Sequence, residues 1–180
     1  IAGLKPDGSG ALIRRIEGRA NAPPSSEAVE MLRMDEALPT MTLSERGAGA
    51  AEVPVARSKL HGHRGCARYD PQRVEYVPMA PAYHHYPVTC ATAAQARGIA
   101  DAFSQSKALR NPDDPRQVVF TVLPGHGIVI VERWASGAAP FQLIWEAIDE
   151  GSLEIDRRVP QGPIEYVPER DGMRAVRGQV

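Results

Sequence analysis

A chain of 180 residues is long enough for one domain with its own core. A net charge of −1 draws in neither nucleic acid nor an anionic membrane, and no run approaches the ~18 apolar residues of a membrane span. Two cysteines cannot build a disulfide framework, and 16 prolines stand well above the usual share of about 5%.

Ile1 in first place is expected of a chain cut upstream or of a fragment, and residues 1–20 hold no apolar signal core. Residues 1–24 are rich in Gly, Pro, Ala and Arg and cannot offset their own ordering entropy. A short helix is expected near 26–38, with Ser25 or Ser26 as cap, Ala28, Met31 and Leu32 as its stripe, and Pro39 as its end. Residues 40–59 return to coil-like composition. Residues 1–60 are therefore read as an extended arm.

Arg73-Val74-Glu75-Tyr76-Val77 alternates and meets Pro78, as a short edge strand does. The proline-free stretch after Val88 predicts the main helix, 91–108. Ala96, Ile99, Ala100 and Phe103 form its apolar stripe, and Thr92 with Gln95 has capping-box spacing. Asn111-Pro112 ends it.

A hairpin over 117–134 follows. Two β-branched runs flank Pro124-Gly125-His126-Gly127, whose glycines are free to take positive φ. Ile128-Val129-Ile130-Val131 is apolar without alternation, so the hairpin needs a cover on each face. The preceding helix supplies one cover, and the other must come from elsewhere in the chain, where a second short helix near 141–149 is available, or from a partner. Residues 141–149 read as a short helix with Leu143, Ile144, Ala147 and Ile148 inward, and 153–159 as a last strand. Ile164-Glu165-Tyr166-Val167-Pro168 repeats the pattern of Val74-Glu75-Tyr76-Val77-Pro78, but the match is too short to signal a duplicated domain.

The resulting fold class is α+β: a small antiparallel sheet around the 117–134 hairpin, one main packed helix at 91–108, and long irregular arms. The core domain spans 61–158, and 159–180 is an extended tail.

Histidine and cysteine are unevenly placed. His61, His63, Cys66, His84, His85 and Cys90 all fall within thirty-one residues, with His126 outside. On a strand, His61 and His63 point to one side. Imidazole and thiolate are zinc's preferred ligands, and His61, His63, Cys66 and His84 offer a four-ligand set. Such a zinc clip would hold a core-poor segment in one shape. The spacings follow no established zinc pattern, and otherwise no cofactor is expected.

Cys90 lies near a helix start, where the backbone dipole favours thiolate, and His126 opens a strand. Gly125-His126-Gly127-Ile128-Val129-Ile130-Val131 resembles the histidine strand of papain-like cysteine hydrolases such as the CHAP-type peptidases, over about twenty residues. That resemblance implies Cys90 as nucleophile and His126 as base, with Glu146 or Gln142 orienting the histidine.

The composition favours a third role. So much Pro, Gly and Ala, with no complete catalytic motif, is expected of a non-catalytic structural or interaction subunit. Its arm and its tyrosine-rich loops would hold other protein subunits in a homo- or hetero-oligomeric assembly. Arg14-Arg15 and Arg157-Arg158 are isolated pairs and make no nucleic-acid footprint.

Overall fold

The computed structural model describes residues 3–4, 11–12, 28–43, 51–81, 92–135, 137–160, 162, 164–169 and 172–177. In chain order the elements are β1 (Gly3–Leu4), β2 (Ala11–Leu12), α1 (Ala28–Ala37), β3 (Thr40–Leu43), β4 (Ala51–Pro54), β5 (Ala56–Gly62), β6 (Cys66–Tyr69) and β7 (Val74–Tyr76). They continue with α2 (Ala93–Ser104), α3 (Lys107–Arg110), β8 (Val118–Leu123), β9 (Gly127–Arg133), α4 (Gln142–Asp149), β10 (Leu153–Ile155), β11 (Ile164–Glu169) and β12 (Gly172–Arg177). The fold is α+β. Among the described residues no helix is long and apolar enough to cross a membrane.

The β8–β9 hairpin is central, and every residue of both strands is buried. Its sheet runs β5-β9-β8-β7, antiparallel except where β7 joins β8 in parallel. The small antiparallel sheet expected around the hairpin is present in β5, β9 and β8. β7 differs because α2 and α3 intervene before β8 and return the chain to the same end of the sheet, as a crossover must.

The two faces of the hairpin sort by residue parity. Val119, Leu123, Val129 and Val131 pack with Ile99, Ala102 and Phe103 of α2 and Met34 of α1. Val118, Phe120, Val122, Ile128 and Ile130 pack with Ile144 and Ala147 of α4, and with Cys66, Tyr69 and Leu153. The second cover is thus α4 together with a second antiparallel sheet, β10-β6-β12-β11.

Part of the stretch read as an arm belongs to this core. Met34 is fully buried, Leu38, Val55 and Ala56 are buried beside it, and β5 pairs with β9 along its length. The expected boundary at 60/61 falls inside β5. The tail likewise contributes β11 and β12, with Met173 opposite Tyr69. The two similar segments become β7 and β11, edge strands of different sheets, and the rings of Tyr76 and Tyr166 meet at 4.5 Å between centroids.

Two buried carboxylates tie helices to the sheet. Glu132 of β9 is 1% exposed and accepts from the backbone amides of Phe141 (2.5 Å), Leu143 (3.1 Å) and Ile144 (3.3 Å), capping α4. Glu75 of β7 accepts from Ser106 Oγ (2.5 Å) and from the amides of Lys107 and Ala108, capping α3. Free amides and positive dipole at a helix start are the natural place for such a charge.

Candidate metal centre

Strand register brings two of the histidines to one place. His61 of β5 lies opposite Val129 of β9, so it faces the α1/α2 side, and His63 follows two residues on. Lys59, one step the other way on the same face, pairs with Asp35 of α1.

The third histidine comes from the β8–β9 turn. Gly125 takes φ 72°, open to glycine without steric cost, and its amide donates to Pro160 O at 2.5 Å. His126 is thereby turned towards β5. Gly127 lets the two segments touch, since a Cβ there would lie 2.0 Å from the Gly62 carbonyl oxygen.

The outcome is a cluster of His61, His63 and His126, whose ligand nitrogens all lie within 4.8 Å of one another. His126 Nε2 and His63 Nε2 are 3.2 Å apart. Two imidazole nitrogens on one zinc at about 2.0–2.1 Å, at a tetrahedral angle, are about 3.3–3.4 Å apart. The closest pair already has that spacing, and the widest must close by about 1.4 Å to reach it.

The far nitrogens are also held. His61 Nδ1 is 3.1 Å from the Ile128 carbonyl, which can only accept, so this nitrogen carries the proton and Nε2 keeps its lone pair. His126 Nδ1 is 2.7 Å from the side-chain amide of Gln95. With the amide nitrogen towards the ring, Gln95 donates to Nδ1, and the His126 proton sits on Nε2, between the two histidines. A half-turn of the amide presents Oε1 instead. Nδ1–H then donates to Gln95, and Nε2 is released as a ligand. Gln95 is 1% exposed, in the first turn of α2, which Thr92 caps by accepting from the Gln95 amide at 3.2 Å. The capping residue and the histidine partner are thus fixed by the same turn of helix.

Three neutral imidazoles suit zinc, copper, nickel or ferrous iron, and would leave the ion's full positive charge uncompensated by the ligands. An ion so held is a Lewis acid for water or a carbonyl oxygen.

The four-ligand set expected from the sequence is only partly reproduced. His61 and His63 converge, but the group contains His126 and lacks Cys66. Cys66 lies in the core on the other side of the sheet, 4% exposed, with Sγ donating to the Arg68 carbonyl at 3.3 Å. Burial pushes its thiol up to about 12, so it is neither thiolate ligand nor nucleophile near neutral pH. His84, His85 and Cys90 lie outside the described residues.

Glu146 does not meet His126. It lines a hollow with Gln117 and Val118, at the start of β8, and accepts from Gln142 Nε2 at 2.7 Å. His126 follows the other end of β8, about 20 Å away along a strand of that length. Gln95 has two roles, and only its place in the capping pattern is legible locally, because its side chain turns to His126 across the fold.

Beside the centre lies a cavity of about 430 Å³, lined by His61 and His63 together with Leu60, Ile128, Trp145 and Ile148. Compared with known proteins, the chain matches no family model, no curated protein and no solved structure.

Proposed function

We propose that this chain is a divalent-metal protein, with zinc the first choice, bound by His61, His63 and His126. The observation that supports this is the convergence of three imidazole nitrogens from two segments more than sixty residues apart in sequence, two of the rings being oriented from behind. Zinc there would join the end of β5, the β8–β9 turn and, through Gln95, the start of α2. The test is metal content after zinc loading and gel filtration, beside the His63→Ala and His126→Ala variants. One zinc per chain, lost in both variants while the circular dichroism is kept, is the expected result. A metal-free, fully folded chain that takes up no zinc, cobalt or nickel overturns the reading.

The assembly role is a second proposal, favoured by Trp145 on α4 and Phe141 just before it, large side chains 51% and 37% exposed. It commits to copies of this chain as neighbours. Sedimentation of the full chain would show an oligomer that Trp145→Ser dissociates. A monomer at all concentrations removes this form of it.

A further inference from the structure

We infer that the metal keeps one coordination position for a ligand from solution: water when nothing else is offered, and a small anion, or the anionic oxygen of a carboxylate, when one is. This deepens the metal reading above and rests on it. Three observations carry it.

The first is the donor set. The group holds three nitrogens and, among the described residues, neither carboxylate nor thiolate. Zinc in structural sites is almost always closed by four protein ligands, whereas three protein ligands plus a solvent position is the arrangement of reactive sites. The second is exposure. His63 is exposed, while His61 and His126 are half-buried, so the cluster has a side open to solvent and a side set into the protein. The third is orientation. Both half-buried rings are tied from behind, His61 to the Ile128 carbonyl and His126 to Gln95. The first bond leaves His61 Nε2 as the ligand atom, the second does the same for His126 once the Gln95 amide presents its oxygen, and two of the three ligand directions are thereby fixed.

The charge points to the ligand class. Neutral imidazoles leave a divalent ion with its whole positive charge, and an anion entering the open position offsets it. A thiocyanate, an azide or a substrate carboxylate fits this requirement, whereas a neutral apolar molecule does not.

The experiment uses the full chain loaded with cobalt(II), whose visible absorption reports coordination number and donor type. Titration with sodium azide is expected to give a saturable change in band position and intensity, with an isosbestic point, and acetate is expected to compete. The buffer contains no carboxylate, thiol or phosphine, and chloride is held constant throughout. A cobalt spectrum that azide leaves unchanged overturns the inference, because the fourth position is then filled by the chain. A thiolate-to-cobalt charge-transfer band in the near ultraviolet overturns it equally, because a cysteine then closes the site. Failure of cobalt to bind at all is a different outcome, which sinks the metal reading itself and the inference with it.

Discussion

In the proposed metal centre Gln95 would act through His126 without touching the ion, and its contribution is separable from its place in the core. The Gln95→Leu variant keeps the volume and removes the contact with His126 Nδ1. Loss of such a second partner lowers metal affinity by about 10–100-fold. Gln95→Glu restores an acceptor at the same distance and is expected to recover most of the affinity, a rescue that mere packing would not produce. Competition against a chromophoric chelator measures both. Gly62 and Gly127 make a matched pair. A methyl at Gly62 meets nothing within 4 Å, whereas one at Gly127 would sit 2.0 Å from backbone oxygen. Gly127→Ala is therefore expected to destabilise the chain by about 3 kcal/mol, and Gly62→Ala by less than about 1 kcal/mol, in urea denaturation. Equal effects would contradict the close approach that brings His126 to β5. Cys66 gives a third check at this scale. With its thiol held up at about 12, it is expected to resist iodoacetamide in the folded chain at mildly alkaline pH and to react once unfolded.

At the scale of elements, the sheet side of each short helix start is a buried glutamate, and this is where local pattern stops informing. Glu132 sits inside the run Ile128-Val129-Ile130-Val131-Glu132, where a charge reads as the end of a strand. It is instead 1% exposed and accepts from three backbone amides, those of Leu143 and Ile144 in α4 and of Phe141, which precedes α4 with a left-handed φ of 66°. Glu132→Ala leaves those donors buried without an acceptor, and a loss of about 3 kcal/mol is expected by denaturation. Glu132→Gln, which keeps one acceptor, loses less. Near-wild-type stability of the alanine variant would sink this account of α4. By contrast, the main helix was legible, although the expected span 91–108 is divided into α2 and α3, the second capped by Ser106. Its stripe of Ala96, Ile99, Ala100 and Phe103 is buried as the 3.6-residue period requires, and Thr92 caps it. The hairpin and its need for two covers were legible from the missing alternation. Of the second cover, the helix at 141–149 was legible, but the sheet beside it was not, because it is assembled from β6, β10 and β12, which carry at most two core residues each. The metal cluster was half legible. His61 and His63 share a face on any strand, but pairing them with His126 needs the β5–β9 register, which no local pattern encodes.

At the scale of the molecule, the 111–116 loop connects α3 to the central hairpin and is pinned electrostatically. Arg133, 6% exposed on β9, donates to the carbonyls of Pro112 and Asp114, both at 3.0 Å. Arg116 donates to both oxygens of Asp114, at 2.9 and 2.7 Å, and lies 3.5 Å from Glu75, the carboxylate that caps α3. The Arg116 side chain bonded to it, with smaller help from backbone and charge, lowers the Asp114 carboxyl from 3.8 to about 2. A depressed carboxyl stabilises the folded chain wherever both states are ionised, which holds above about pH 4. Between about pH 4 and pH 2 the unfolded chain takes up this proton first, and the contribution, on the order of 1–2 kcal/mol, is lost. Below the folded value nothing further is lost from this group. Asp114→Asn is therefore expected to be less stable than the parent chain near pH 6, with the difference shrinking steadily as the pH falls towards 2. Urea midpoints measured in parallel, with chelator present so that metal makes no contribution, read that difference directly. A gap between the two chains that stays constant across this range would show that Asp114 holds the loop by shape alone, and that acid lability arises at other carboxylates.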